Sequence, residues 1–336
     1  MLRRDFLQKA SLLALSSISG CATTITPAPA FGAAIDAHCH VFNASDLPVT
    51  RFLRYVVLKD YPVQAKLRTS GIQDKDFFDG LIRFAERFFG LNRAPTAKDE
   101  TGVLSGRENA STRHSDLEVA GKVTTDVLAD YLEEKLTPMR RGDLASLSTG
   151  DREFIGAVLE AGGSSFRTLA TGSSSLRQTA ASAYASGGQV GTLLRWIRLF
   201  TLYRHVLVET LISDARRQGL TLEMLTPALV DFDNWLGQSV EGSPIKDQIL
   251  VMDRIARRTQ GPAVHAYLGF DPLREVLFRR EKLPGTRNPL ELTREALAEH
   301  GFLGEALSSD GLSRISEQGT LSETRFEQAG GQRSKW

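Results

Sequence analysis

The chain has 336 residues, of which 41% are hydrophobic and 24% are charged, and its formal net charge is +1. This composition excludes an intrinsically disordered polymer and allows a sizeable hydrophobic core. The small net charge gives no electrostatic basis for binding an acidic polymer, so we expect no nucleic-acid partner.

Residues 1–21 have the pattern of an export signal. Arg3 and Arg4 precede a modest apolar stretch, 10–18, which ends in small residues before Cys21. The pattern resembles a twin-arginine signal, which directs export as a folded protein. The apolar stretch is shorter than the ~20 residues that a membrane-spanning helix needs, and no later stretch reaches that length.

Cys21 ends a peptide, Ile18-Ser-Gly-Cys, that resembles a bacterial lipobox. The resemblance implies that Cys21 is lipidated and that the protein is periplasmic, with the cell envelope as a partner through its lipid anchor. The alternative is a soluble exported protein that is cut elsewhere. Residues 22–33, rich in Thr, Pro and Ala, are expected to form a tether. If Cys21 is lipidated, Cys39 is left without an intrachain disulfide partner and is expected to be a small buried side chain.

The tripeptide His38-Cys39-His40 follows an apolar run that begins near Ala34. Alternate side chains of a strand share a face, so Asp36, His38 and His40 are expected to lie on one side. Two imidazoles that converge in this way are suitable ligands for a divalent metal, most often zinc. Asp36 would then support a histidine without binding the metal itself. A pair of packed strand histidines would have the same spacing.

The segment from about residue 50 to residue 219 has mostly helical periodicity. Helices are predicted over 74–89, 125–136, 151–160 and 193–218, and the last is predicted as one long helix closed by Gly219. The polar or small-residue stretches 93–118 and 162–191 are predicted as loops or lid-like segments. His114, His205 and His300 are interpreted as packing or capping residues.

Beyond residue 219 the pattern changes to alternating strands and helices. Strands are predicted over 225–232 and 263–270, and helices over 244–257 and 289–299. This alternation predicts βαβ units with a parallel sheet. Asp231 and Asp271 follow the strands, where barrel enzymes place their sites, although either could instead cap the next helix. His265, on the second of these strands, is expected to be a core residue.

The Asp36-x-His38-x-His40 strand end and the peptide Gly-Phe-Asp271-Pro-Leu-Arg resemble the first and third strands of the amidohydrolase superfamily, in its amidohydrolase-related branch. The resemblance implies an α/β fold that is the first three strands of a (β/α)₈ TIM-type barrel, with a large helical insertion after strand one. Residues 34–304 would be the N-terminal part of that barrel. It also implies a small-molecule substrate and hydrolysis of an amide or ester by metal-activated water, although some relatives decarboxylate. In that family further ligands and the catalytic acid or base come from strands four to eight, so no catalytic residue is assigned in this chain.

A fourth strand is due after Gly304, but residues 305–336 show neither a strand run nor a helical stripe. Codons for residues 304–313, read one base further along, permit VKLYPPMGFR, which resembles the family's fourth strand. We therefore hypothesise that residues 305–336 are an out-of-frame tail and that the chain is truncated, with doubtful activity.

Two other hypotheses remain open. One is a noncatalytic exported lipoprotein or pseudogene product that acts at most as a binding module. The other is a periplasmic metal-binding protein, which would need extra ligands from His114, His205 or His265.

Overall fold

The computed structural model describes residues 33–54, 74–140, 147–166, 168, 175–232, 242–270, 272–280 and 288–307. Residues 1–32, with Cys21 and the predicted signal, and most of the predicted tail lie outside these ranges. In the described part of the chain, no helix is both long and apolar enough to cross a membrane.

The described chain is mixed α/β and mostly helical. Its strands are β1 (Ala33–Cys39), β2 (Thr221–Pro227), β3 (Ala263–Val264), β4 (Tyr267–Phe270) and β5 (Gly304–Leu307). Its helices are α1 (Val49–Phe52), α2 (Asp74–Leu91), α3 (Ala97–Leu104), α4 (Thr112–Ser115), α5 (Leu117–Arg140), α6 (Thr149–Ala161), α7 (Leu176–Ala185), α8 (Gln189–Leu199), α9 (Arg204–Arg217), α10 (Ile245–Arg258), α11 (Pro272–Arg279) and α12 (Pro289–Glu299).

All strand pairs are parallel, as the alternation of strands and helices predicts. β1, β2 and β3 form one sheet in that order, and β4 pairs with β5 in a second. A bridge between Ala228 and Tyr267, with a hydrogen bond of 2.9 Å from the Leu229 N–H to the Tyr267 carbonyl, links the end of β2 to β4. The strands therefore follow one another in chain order, and the carboxyl ends of β1 and β2 lie at one edge.

Two large cores stabilise this arrangement. The first lies in the helical region and contains the apolar stripe of α2, where Phe77, Leu81, Phe84 and Phe88 are all buried. These positions recur at helical spacing, which explains why the sequence predicts α2. The second core packs α10 and α12 against the sheet, through residues such as Leu225, Ile249 and Val264.

Several predicted elements are confirmed, and others are corrected. The predicted helices 74–89, 244–257 and 289–299 match α2, α10 and α12 within two residues. The stretch 93–118, predicted as a loop, contains α3 and α4, and 162–191 contains α7. α3 begins with a capping box in which Thr96 and Asp99 each bond the other's main-chain N–H, a signal inside a segment that looked uniformly polar.

The predicted helix 193–218 is wrong, because the structure has two helices, α8 and α9, separated at residues 200–203. Three consecutive carbonyls in this break accept bonds from distant groups. Phe200 accepts from Ala44 N–H at 2.8 Å, Thr201 from the His114 ring at 2.7 Å, and Leu202 from the Asn43 amide at 3.2 Å. Each of these carbonyls bonds a partner outside the helix, so the helix ends and restarts.

The strands beyond residue 219 also differ from expectation. β2 begins at Thr221, four residues before the predicted start, and the predicted strand 263–270 is split into β3 and β4. The expectation of no strand in residues 305–336 is wrong for residues 305–307, because they belong to β5, which pairs in parallel with β4. The partial barrel itself stays a prediction.

Candidate metal centre

His38 and His40 lie together at the carboxyl end of β1. Their ring centroids are 4.7 Å apart and the ring planes are nearly perpendicular, at 85°. Both residues are exposed on the sheet, so the rings are accessible to a ligand. The structure confirms that the two imidazoles are neighbours.

The protonation of His40 follows from its hydrogen bond. Its Nδ1 lies 2.9 Å from the carbonyl oxygen of Ala228, just beyond β2. A carbonyl can only accept, so Nδ1 carries the proton and the lone pair of the neutral ring is on Nε2. Burial of the packed side of the ring lowers the pKa of His40, which favours this neutral form. A metal-ligating histidine has this same arrangement, with its second nitrogen bonded to a carbonyl.

Asp36 and Cys39 have other contacts. The Asp36 carboxylate accepts the main-chain N–H of His38 at 3.1 Å, so its described bond holds the strand rather than an imidazole ring. The tautomer-fixing contact of His40 comes from the main chain of the neighbouring strand. Cys39 is a free, half-buried thiol that packs against the second core, and burial raises its pKa well above the usual value.

Aromatic side chains flank the histidine pair where the chain leaves β1. The Phe42 ring lies 6.5 Å from the His40 ring and 5.5 Å from the Phe232 ring, measured between centroids. Asp231 is next to Phe232 and is half-buried beyond the end of β2, at the same edge of the sheet as His40. Asp271 lies outside the described residues.

A buried charged network fixes the loop that follows the histidines. The Arg204 guanidinium, at the start of α9, forms ion pairs with Asp46 and Glu100, and all three side chains are fully buried. Asn43 donates to Glu100 at 3.1 Å and to the Pro95 carbonyl at 3.0 Å, while its main-chain N–H bonds Asp46. The loop from residue 43 to residue 46 is thus tied to α3 and α9.

The network holds more potential negative charge than positive. Burial raises the pKa of Asp46 and raises that of Glu100 to about 7, while the same carboxylates raise the pKa of Arg204. Burial is the largest cause of the raised pKa of both acids, and the positive charge of Arg204 opposes it.

The buried network of Asp46, Glu100 and Arg204 was not predicted from the sequence. The available signals were an Asn-x-x-Asp turn directly after the strand and an arginine on an apolar helical stripe.

The remaining histidines are dispersed. His114 donates from Nδ1 to Thr201, which confirms a packing role, and burial lowers its pKa. His265 was expected in the core, but it is only half-buried and bonds the Gly301 carbonyl at 3.0 Å, because it sits at the gap between β3 and β4. His300 ends α12 within 3.6 Å of Asp253. His205 is considered below.

The potential metal ligands at the end of β1 are therefore the two histidines, His38 and His40. Across the described ranges, no three His, Cys, Asp or Glu side chains are grouped closely enough to hold a metal ion. Two imidazoles fit a zinc site as part of its ligand set, since catalytic zinc takes three protein ligands.

No family model, curated protein or solved structure matches this chain.

Proposed function

We propose that the chain belongs to a metal-dependent hydrolase of the amidohydrolase type, with His38 and His40 as ligands of a divalent metal, most often zinc. The observation that carries the proposal is the bond between His40 Nδ1 and the Ala228 carbonyl at 2.9 Å. The bond leaves the lone pair of His40 on Nε2. The ring of the second exposed imidazole, His38, lies 4.7 Å from the His40 ring, measured between centroids. His114 and His265 also contact a carbonyl through Nδ1, so the feature that distinguishes His40 is the second exposed imidazole beside it.

The finer fold assignment, a partial (β/α)₈ barrel, is part of the proposal. It is supported by strands that are all parallel and that follow one another in chain order, with helices between them. A barrel adds each strand on the same side of the previous one, whereas a doubly wound sheet reverses direction. His38, His40 and Asp231 then lie at the carboxyl edge, where barrel enzymes carry out their chemistry.

The chain's own residues would hold and orient the reacting centre. His38 and His40 would bind the ion, which supplies Lewis acidity toward water and an amide or ester carbonyl. The Ala228 carbonyl would keep His40 in its ligating tautomer, and Phe42 and Phe232 would limit water on one side of the pair. Asp231 is a candidate rim residue for a small-molecule substrate. We also propose twin-arginine export and a lipid anchor on Cys21, on the strength of the sequence pattern alone.

The test is metal content measured on the full chain. Protein purified from the periplasm and dialysed should retain close to one zinc per chain by inductively coupled plasma mass spectrometry. The double variant His38→Ala, His40→Ala should lose it. His300→Ala is the matched control, because that half-buried histidine lies at the end of α12 and should leave the zinc content unchanged. Unchanged zinc in the double variant refutes the assignment.

A noncatalytic envelope protein is the second candidate. Within the described residues, no third His, Cys, Asp or Glu is grouped with the pair, and this candidate requires none. It predicts no stoichiometric zinc in the wild type. The third candidate, a metal-binding protein, predicts zinc loss when His114, His205 or His265 is replaced as well.

A further inference from the structure

A pocket of about 390 Å³ lies between α9 and the end of α10. Its apolar walls include Leu104, Ile212 and Ile255, and its polar lining includes Ser213 and Thr259. The histidines of β1 do not line it. A volume of this size accommodates a small polar ligand.

Two arginines line this pocket without a carboxylate partner. Arg216 and Arg258 are both exposed, and neither forms an ion pair with any other described residue. The arginines next to them in the sequence do form ion pairs. Arg217 is paired with Asp214, and Arg257 is paired with Asp253 at 2.9 Å. Arginines in the last turn of a helix favour the helix dipole, and this applies equally to all four. Among these four arginines, the two that line the pocket are the two without a carboxylate partner.

A histidine with an unpartnered ring nitrogen lines the same pocket. His205 lines the pocket, and its Nδ1 is buried with no hydrogen-bond partner in the described structure. Burial, and to a smaller extent the positive charge of Arg258, lowers the pKa of His205 to about 4. The ring is therefore neutral near pH 7 and can donate one hydrogen bond at no cost in charge. An unpartnered buried polar atom is costly, so a hydrogen-bond partner for this ring would be stabilising.

We propose that this pocket binds a small oxyanion of the phosphate or phosphate-monoester class, held by Arg216 and Arg258. Guanidinium groups remain charged at all accessible pH values and present forked donors that match phosphate oxygens. Ser213 supplies a hydroxyl donor and His205 a neutral imidazole donor, whereas the Thr259 hydroxyl donates to the Ile255 carbonyl at 2.7 Å. Glu209 is the single acidic residue of the lining, so two positive charges face one negative charge. The proposal is independent of the proposed hydrolase function.

The test is isothermal titration of the full chain with inorganic phosphate at pH 7.5 and low ionic strength. We expect saturable binding at one site per chain. Arg216→Gln and Arg258→Gln should each weaken it at least tenfold, whereas the matched controls Arg217→Gln and Arg257→Gln should change it less than twofold. Circular dichroism confirms that all four variants are folded.

Three results would overturn the proposal. The first is no saturable binding to the wild type, and the second is equal weakening in the paired controls. The third is loss of binding in the His38→Ala, His40→Ala variant, which would locate the phosphate at the histidine pair. Retained phosphate binding in that variant supports the proposal whatever its zinc content.

Discussion

Replacing Arg204 should remove a large part of the folding free energy. The Arg204→Met variant keeps the length and apolar stem of the side chain but removes the guanidinium that pairs with Asp46 and Glu100. All three side chains are fully buried, so water cannot replace the lost donors. Breaking a buried ion pair by removing one partner costs about 3–5 kcal/mol.

Two acids lose their partner here, but each can limit its own cost by taking up a proton, so we expect a loss of about 4 kcal/mol at pH 7. The variant's deficit should shrink as the pH falls, because protonation removes the buried charges. In urea unfolding followed by tryptophan fluorescence, a slope of about 3 kcal/mol per molar converts this loss into a midpoint shift of about 1.3 M.

Arg217→Met is the matched control, because Arg217 forms an exposed pair with Asp214 three residues away. We expect less than about 0.5 kcal/mol from it. A triple variant, Arg204→Met with Asp46→Asn and Glu100→Gln, should regain part of the loss, because no buried charge remains. The reasoning is refuted if Arg204→Met costs no more than the control.

Three further predictions concern stability. Gly80→Ala should destabilise by about 1–3 kcal/mol in urea unfolding, because its Cβ would clash with the Gly150 carbonyl oxygen, whereas Gly90→Ala on the same helix meets nothing within 4 Å and should stabilise slightly. Thr96→Ala should cost about 1 kcal/mol by the same measurement, through loss of the α3 cap, and no change would contradict the capping box. The pKa of Glu100 rises on folding from 4.5 to about 7, so its contribution is greatest below pH 4.5 and is lost as pH rises through 7. Wild-type stability should therefore fall over that range, and a Glu100→Gln variant with an equally steep fall would contradict the assignment.

Local patterns predicted the elements whose determinants are local. α2 and α12 have apolar residues at helical spacing, and Pro289 stands at the first position of α12 after the Asn288 cap. The proximity of the two histidines was also predictable locally, because residues two apart in an extended segment project to the same side, although β1 has a register shift between Asp36 and Cys39 and ends before His40.

The rest depends on partners far away in the chain. The break between α8 and α9 exists because its carbonyls bond Asn43, Ala44 and His114, and no window of sequence contains these pairs. The contact that fixes the His40 ring comes from Ala228, which is 188 residues away. The buried network was invisible for a related reason, since Asp46, Glu100 and Arg204 individually look like surface charges.

The long insertion between β1 and β2 has a consequence for the order of folding. Ala34 pairs with Leu222, so joining these two strands directly would close a loop of nearly the whole helical region. Closure entropy grows with loop length, and non-local strand pairing is slow. Collapse of the aromatic core of α2, α5 and α6 would bring the two ends of the insertion together first, and the loop from residue 43 to residue 46 would then dock on α9. In this sequence of events, β1 joins the sheet late, and the two imidazoles become neighbours of Ala228 only after the helices are in place.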